Sequence, residues 1–375
     1  MQDVFIYDLR RTPVAPEGGA LAEVLPSRLV GALLREIAAP MKGKTIDALV
    51  LGGDGASETP RHALASAGLV TRDGAWQLQQ GGVSSMAALR QAAQSVAAGD
   101  LDLAIAGGYH VANAQRPASA FDLLVAIAHP VLPARTAADV AAQRQGLDTQ
   151  ALDAWAACSR EALHGAGHAD VEVPVRDING LSVLAEDHST GTPPSDPDPQ
   201  NYAATAASHL HADLPAPPRV HHAAHLAAPV DGACLLLLGS ADAGAQAGLA
   251  PRARVSGHAA VCEGAAAGPA AVATAVRRVL QQAGWRADEL DRLEIHDAQA
   301  VSAPLASAML GVPLERINRL GGALVRGDMG AAAGAACLAR LLVALEHSHT
   351  QRGVAAIADA AGNAIAIALE CKATT

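Results

Sequence analysis

The first third of the chain alternates short apolar runs with segments of helical periodicity. Residues 4–7 and 48–51 are β-type runs, and residues 28–37 between them repeat apolar side chains at helical spacing. A second helical segment, 86–98, is followed by the apolar run 101–106. Alternation of strands and helices of this kind predicts a parallel or mixed sheet covered by helices.

The same order of elements returns near the C-terminus and indicates an internal duplication. Strand-like or helical patterns occupy residues 252–255, 270–283, 293–295, 330–345, 354–357 and 364–369. In the first copy, a helix around Arg35 is followed 12 residues later by Asp47 and a strand. In the second, a helix around Arg278 is followed 13 residues later by Asp291 and a strand. We therefore predict two stacked copies of one α/β unit.

The segment between the two copies has a different character. Residues 193–218 are rich in proline, histidine and aspartate, and no helical period survives there. Loop-rich insertions on a rigid scaffold are a usual place for ligand contacts. We predict an N-terminal half over residues 1–120, an inserted loop domain over 121–235 and a C-terminal half over 236–375.

Composition narrows the class of protein. Half of the 375 residues are hydrophobic and only 17% are charged, which is typical of a folded protein rather than a disordered one. The net charge is −10 and the basic residues are scattered, so nucleic acid and anionic membranes are poor partners. The N-terminus carries an acid where a signal peptide needs bases, and we expect a soluble cytoplasmic protein.

Cysteines and histidines give no metal or disulfide pattern. Five cysteines lie far apart without a CxxC pair, which predicts a reducing compartment. The densest histidine cluster comprises His209, His211, His221, His222 and His225. His221 and His225 would share one helical face, but no carboxylate or cysteine lies at a suitable spacing, so we predict no metal site.

Common catalytic and phosphate-binding motifs are missing. Gly52, Gly53 and Gly55 follow a strand, but the third glycine of a dinucleotide fingerprint would fall on Glu58. No GxxxxGK[ST], HExxH or GxSxG sequence occurs. Ser84 and Ser85 open the predicted helix 86–98, where helix capping is favoured over a nucleophilic role.

Five collinear segments resemble the thiolases, the acetyl-CoA acyltransferases. They are VFIYDLRRTP at 4–13, the nucleophile helix and following strand at 77–108, GLDTQALDAWAACSRE at 146–161, DGA at 231–233 and GLAPRAR at 248–254. The resemblance implies a thiolase-like five-layer αβαβα sandwich of two duplicated halves with an inserted loop domain. It also implies a homodimer, or a tetramer, paired through a sheet edge beside the nucleophile loop.

The resemblance fails at the three positions that carry the family's chemistry. The nucleophilic cysteine of thiolases lies 26 residues before the second glycine of a GG pair, and counting back from Gly108 reaches Gly82. The GHP histidine that activates this cysteine corresponds to Asp328. The acid/base cysteine of the CxGGG motif corresponds to Ala358.

The other positions that match thiolase motifs give the candidate site residues. The NEAF motif appears as HDAQ at 296–299, which is similar to the HDCF of sterol-carrier-type thiolases. The catalytic candidates are His296, Asp297 and Asp328. The candidates for a CoA cleft are His225, Ala227 and Gly327, with CoA or acyl-CoA as a ligand and no other cofactor.

Three functions fit these residues. Glycine cannot carry an acyl group, so the first is an acyl-CoA-binding or scaffold subunit without normal thiolase activity, pairing with an active paralogue or a small acyl-CoA-binding partner. The second is altered acyl-CoA or β-keto chemistry, such as hydrolysis, decarboxylation or retro-aldol cleavage, in which His296 acts as a base or oxyanion donor. The third is a conventional acetyl-CoA C-acyltransferase in which another cysteine reaches the cleft.

Overall fold

The structure is a computed structural model that describes residues 2–41, 43–114, 133–163, 171–188, 219–264 and 267–372. The proline-rich segment 193–218, with His209 and His211, lies outside the described residues. The described strands are β1 (Phe5–Arg11), β2 (Ala15–Pro16), β3 (Ile46–Gly52), β4 (Thr71–Leu78), β5 (Leu103–His110), β6 (Val175–Arg176), β7 (Ser182–Leu184), β8 (Val230–Gly239), β9 (Ala253–Cys262), β10 (Arg292–Ile295), β11 (Arg352–Ala358) and β12 (Asn363–Glu370). The described α-helices are α1 (Pro26–Ala38), α2 (Thr59–Ala67), α3 (Ser84–Ala98), α4 (Ala134–Arg144), α5 (Thr149–Leu163), α6 (Ala241–Ala247), α7 (Ala271–Ala283), α8 (Ser302–Leu310), α9 (Ala323–Arg326) and α10 (Ala333–His347).

The order of strands in the main sheet confirms the duplication. The order is β10-β11-β12-β9-β1-β8-β5-β3-β4, with β2 paired to β8. In the first half β3 and β5 are parallel, and β8 is antiparallel to both β5 and β1. In the second half β10 and β11 are parallel, and β12 is antiparallel to both β11 and β9. The halves join where β1 and β9 pair.

Two further features repeat between the halves. Asp47 Oδ2 accepts hydrogen bonds from the backbone N–H groups of residues 102 and 103, at 2.6 and 2.9 Å. Asp291 Oδ2 does the same for residues 351 and 352, at 3.0 and 2.9 Å. Each carboxylate therefore fixes a strand to the start of its parallel neighbour, as the similar helix-to-aspartate spacings suggested. The edge strand β4, parallel to β3, has a reduced counterpart in a single parallel bridge between Leu293 and Ile317.

Helices form three layers around the two halves of the sheet. Helix α1 packs against β8 and β1, with α2 beside it, and α7 packs against β9 and β12. Helices α3 and α10 contact each other, and they contact strands of both halves. They are therefore the central layer of the five-layer αβαβα arrangement.

Small residues let the two central helices approach at their N-terminal ends. A Cβ placed on Gly334 of α10 would lie 2.6 Å from the Cβ of Met86 in α3. The backbone N–H of Ala335 donates to Ser85 Oγ at 3.0 Å. Both helices consequently begin at the same end of the molecule.

Among the described residues, one stretch, 330–347, is long and apolar enough to cross a membrane, with a mean hydropathy of 1.2. However, 78% of it is buried within the protein. Because it contains α10, its place between the two sheet halves accounts for its apolar character.

Candidate active site

The candidate site lies where the N-terminal ends of α3 and α10 approach the ends of β10 and β11. Gly82 immediately precedes α3, and Asp328 lies a few residues before α10. His296 follows β10, and its backbone N–H donates to the carbonyl of Ala356 in β11 at 2.9 Å. The fold thus brings residues from both halves of the chain to one end of the molecule.

The turn before α3 is held by a serine hydroxyl. Ser84 Oγ donates to the carbonyl of Gly81 at 2.6 Å and accepts from the backbone N–H of Gln80 at 2.8 Å. The N-cap residue of α3 is Val83, without a side-chain cap, so the predicted capping role of the serines is wrong. Ser84 shapes the turn, and Ser85 binds α10 instead.

Gly82 has room for a side chain but carries none. It is half-buried, and a Cβ built on it would meet no heavy atom within 4 Å. A Cβ on its neighbour Gly81 would lie 3.6 Å from Asp359 Oδ2. Residue 82, the predicted counterpart of the thiolase nucleophile, therefore lies in the turn that approaches the loop after Ala358, and as a glycine it has no functional group.

The turn after Ala358 is fixed by its own hydrogen bonds. Asp359 Oδ1 accepts from the backbone N–H groups of Ala361 and Asn363, at 2.9 and 3.0 Å. Its Oδ2 accepts from Asn363 Nδ2 at 2.9 Å. The Asp359 carboxylate is committed to the turn, and the methyl group of Ala358 can neither donate nor accept a proton.

His296 and Asp328 form a dyad. His296 Nε2 lies 3.4 Å from Asp328 Oδ1, which also accepts from the backbone N–H of Gly330 at 3.0 Å. Burial opposes charge on Asp328, but the adjacent His296 and the Gly330 N–H lower the pKa of this carboxyl below its usual value. His296 Nδ1 is buried and has no hydrogen-bond partner among the described residues. The dyad therefore combines an ionised carboxylate with an imidazole that has one unused nitrogen.

Asp297 does not belong to this dyad. Its side chain is fully buried and accepts from Trp155 Nε1 at 3.2 Å and from the backbone N–H of Leu324 at 3.3 Å. Burial raises the pKa of Asp297. The candidate role as partner of His296 thus passes to Asp328, and Asp297 ties α5 and α9 to the end of β10.

The three residues predicted to line a CoA cleft lie in different surroundings, and only one of them is beside the dyad. The backbone N–H of Ala227 donates to the carbonyl of Ala298 at 2.8 Å, which brings Ala227 beside the dyad. Gly327 has a left-handed φ of +97°, and a Cβ on it would lie 2.4 Å from Val230 Cγ1. Gly327 is therefore required for packing. The side chain of His225 is buried against Asp153 instead of facing a ligand cleft.

The histidine cluster has carboxylate partners that sequence spacing did not show. His222 Nε2 and His225 Nε2 each lie 2.9 Å from Asp153 Oδ1 of α5, and His221 Nδ1 lies 2.7 Å from Asp139 Oδ1 of α4. The expectation that no carboxylate is near these histidines is therefore wrong, because the helices that carry the aspartates pack against residues 220–225.

The hydrogen bonds of this cluster favour a proton over a metal ion. His225 Nδ1 accepts from the backbone N–H of His222 at 3.3 Å, so His225 Nε2 holds the proton that it donates to Asp153. A metal at His225 Nε2 would need the lone pair of that nitrogen and a donor proton on Nδ1. Burial lowers the pKa of His225 despite Asp153, which keeps the ring neutral.

A second buried imidazole, His110, lies behind the Asp328 loop, and no motif in the sequence marks it as a site residue. A Cβ on Gly330 would lie 2.5 Å from His110 Nδ1. His110 Nε2 lies 3.1 Å from Glu17 Oε1, and His110 Nδ1 lies 3.7 Å from Asp54 Oδ2. Burial alone would lower the pKa of His110, but Asp54 and Glu17 reverse this and raise it to about 9. A positive charge therefore lies next to the dyad at neutral pH.

Comparison with known proteins accounts for this arrangement. Residues 4–180 match the family described as thiolase, N-terminal domain, and residues 249–371 match thiolase, C-terminal domain. The chain belongs to the thiolase family. Its relatives include an acetyl-CoA acetyltransferase of Chromobacterium violaceum. The two are 27% identical over an alignment of 402 positions, gaps included, which covers 98% of this chain and 99% of the relative. A beta-ketoadipyl-CoA thiolase of Pseudomonas putida is 27% identical over an alignment of 407 positions, which covers 99% of this chain and all of the relative.

The five cysteines of this thiolase homologue are Cys158, Cys234, Cys262, Cys337 and Cys371, so neither residue 82 nor residue 358 is a cysteine. Cys234 and Cys337 are fully buried, and burial raises the pKa of both thiols, that of Cys234 to about 12. Cys371 is also buried, with a pKa raised to about 11. Cys158 is exposed on α5, and Cys262 is exposed at the end of β9, paired with Asn363 of the turn after Ala358. Cys262 is therefore the sulfur to control for in any test of acyl transfer.

Proposed function

We propose that this thiolase homologue binds an acyl-CoA or a related acyl thioester without accepting the acyl group, and acts as an acyl-CoA-binding or scaffold subunit. The observation that carries the proposal is Gly82, a half-buried glycine before α3 around which a Cβ would meet no heavy atom within 4 Å. We place this subunit in the cytoplasm, paired with itself or with an active paralogue.

The large loss of turnover expected without a nucleophile supports this proposal. An acyl-enzyme needs a nucleophile, and the hydrogen atom of glycine supplies none. Loss of the nucleophile from a preorganised site costs on the order of 10⁶ in turnover, which would reduce a typical enzyme of about 10 s⁻¹ to about 10⁻⁵ s⁻¹. Asp328 and Ala358 remove the activating base and the acid/base group as well.

The proposal is tested by binding and acylation measured on the same protein. Isothermal titration with CoA and acetyl-CoA should give saturable heat, whereas intact-mass spectrometry after incubation with acetyl-CoA should show no hydroxylamine-labile adduct. A Cys262→Ser variant is the control for surface acylation. Absence of binding to either ligand would refute the binding role. An adduct on wild type that persists in Cys262→Ser would mean that another group accepts the acyl chain.

The dyad supports a second candidate, proton transfer on a β-keto acyl thioester. When His296 Nε2 donates to the ionised Asp328, the lone pair of His296 is on Nδ1, which has no other partner among the described residues. Nδ1 is buried in this structure, so a substrate must displace the side chains around it before this nitrogen can remove a proton; Asp328 would then stabilise the imidazolium that forms. Such chemistry needs no acyl-enzyme, so it is compatible with Gly82.

Substitution of the imidazole tests this second candidate. We expect His296→Gln to lower any hydrolysis, decarboxylation or retro-aldol cleavage of β-keto acyl thioesters by about 10²–10⁴-fold, the usual contribution of a general base. Asp328→Asn should lower it less and alter its pH profile. The exposed His62→Gln serves as control. Turnover that is equal in His296→Gln and wild type would eliminate this candidate.

A further inference from the structure

A cavity beside the loop that carries Asp328 is lined by three arginines. Arg11, Arg326 and Arg340 surround a volume of about 30 Å³, together with Asp187 and mainly apolar side chains. A volume of this size holds one or two water-sized groups. It can therefore accept a small ion but not a nucleotide or a pantetheine chain.

Two of the three guanidinium groups have carboxylate partners. Arg11 donates to both oxygens of Asp187, at 2.7 and 2.8 Å, and also to Glu172. Arg340 Nε donates to Glu294 Oε1 at 2.6 Å. These contacts offset the charge of Arg11 and part of the charge of Arg340.

Arg326 is bonded differently. It donates to the carbonyl of Leu320, at 2.7 and 3.0 Å, and to the carbonyl of Gly321 at 3.2 Å. Within the described part of the chain it makes no ion pair. Backbone carbonyls satisfy its N–H groups but do not neutralise its charge, which Asp187 and Glu294 offset only from beyond ion-pair distance.

Arg340 has one N–H donor group without an acceptor, near the charge of Arg326. It is only 8% exposed, and its Nη2 has no hydrogen-bond partner among the described residues. Burial, followed by the charges of Arg340 and Arg11, lowers the pKa of Arg326 to about 10. An unused buried donor and an unpaired guanidinium are both unfavourable unless a ligand completes them.

We propose that this cavity binds one small carboxylate-type oxyanion, of the size of formate or bicarbonate, between Arg326 and Arg340. The planar fork of a guanidinium matches two oxygens of such an anion. Asp187 does not prevent binding, because its oxygens are engaged by Arg11 and by the backbone N–H of Val14 at 2.9 Å. The bound anion links α9 to α10 on either side of Asp328 and therefore stabilises the loop of the dyad.

The experiment measures stability and binding of the full chain at constant ionic strength and pH, with chloride replaced stepwise by formate or by bicarbonate. We expect a saturable rise in Tm and saturable heat on titration. Arg326→Gln should weaken the apparent affinity at least ten-fold, and Arg326→Lys, which keeps the charge but loses the fork, should be intermediate. The control is Arg277→Gln, because Arg277 is an exposed guanidinium that also donates to a backbone carbonyl, that of Met309.

Several outcomes would overturn the proposal. One is an equal rise in Tm with chloride and with formate, which would indicate an adventitious ionic effect only. Another is an affinity that is unchanged in both Arg326 variants. A requirement for longer carboxylates, with no response to formate or bicarbonate, would also contradict a free small anion. If Arg326→Gln does not fold, the apparent affinity of Arg326→Lys for formate is compared with that of Arg277→Gln. An equal affinity in these two variants would overturn the proposal. None of these readouts depends on acyl-CoA binding.

Discussion

At the scale of single residues, the backbone at Gly82 places no limit on the side chain that this position could carry. Gly82 lies outside the left-handed region, since the glycines with positive φ include Gly81 but not Gly82. A side chain at Gly82 would also meet no heavy atom within 4 Å. The backbone at the predicted nucleophile position can therefore accept a side chain, although residue 82 carries none.

This residue-scale view predicts that a sulfur can be restored. Gly82→Cys should fold with wild-type stability and form a hydroxylamine-labile adduct with acetyl-CoA, slowly, because Asp328 does not stabilise a thiolate as the family histidine does. Gly82→Cys/Asp328→His should form the adduct faster. Intact-mass spectrometry over time measures both, with Gly82→Ala as the control without sulfur. Failure of either cysteine variant to become labelled, despite bound acetyl-CoA, would show that the turn does not direct residue 82 at the thioester.

His110 predicts a pH dependence of stability. Its pKa is raised to about 9 by Asp54 and Glu17 against the effect of burial, whereas the unfolded value is near 6.5. Because the folded value is the higher, the stabilisation is complete below pH 6.5 and is lost as pH rises through 9. We expect His110→Gln to be less stable than wild type by about 2–3 kcal/mol at pH 6, with a difference near zero above pH 9. Urea denaturation at both pH values measures this, and a difference independent of pH would contradict it.

At the scale of elements, the crossing of α3 and α10 positions the site. Gly334 faces the backbone and Cβ of Met86 at separations that leave no room for a methyl group. The close approach places Gly82 and Asp328 at adjacent helix ends. The apolar, small-residue composition of both helices is therefore a requirement of the active-site geometry as well as of the core.

The crossing predicts unequal effects of two glycine-to-alanine changes. Gly334→Ala should lower the free energy of unfolding by about 1–3 kcal/mol, because the added methyl group forces the central helices apart. Gly82→Ala is the matched control and should change it by no more than about 0.5 kcal/mol. Urea denaturation of the two variants checks the difference. Equal stabilities would mean that the helices can separate without loss.

At the scale of the whole molecule, the sheet ends in an edge strand that has one neighbour. Within the described residues, β4 pairs with β3 and with no strand on its other side. It leads directly into the turn before α3, and its residues Trp76 and Leu78 are only half-buried. Open edges of this kind favour pairing with another chain.

We propose that two copies pair along β4, and we expect twice the chain mass of 37.8 kDa in solution. Size-exclusion chromatography with light scattering at micromolar concentration measures this. Ala75→Pro, which removes a backbone donor from the edge strand, should weaken any dimer. Detection of a 37.8 kDa species alone would exclude the pairing.

The sequence pattern predicted much of the fold, but it did not predict helix α2 and strand β4, in which the local residue pattern does not match the element that forms. The segment 59–78 shows no clear helical or strand pattern, because Pro60 and scattered charges interrupt it. In the structure α2 begins at Thr59, so Pro60 occupies the first turn, where a missing N–H has no cost. The strand β4 that follows has polar residues on its exposed face and lacks the apolar run that marked β3 and β5.

The sequence by itself determined most of the strand and helix order apart from α2 and β4, the duplication, and the chemical identity of residues 82, 328 and 358. These follow from local periodicity and from collinear motifs, which involve residues close together in the chain. Only the tertiary structure decided that Asp328, rather than Asp297, pairs with His296, and that Asp153 meets two histidines. Such pairs join residues tens of positions apart, so their distances are set by helix packing and strand pairing, which no spacing along the chain encodes.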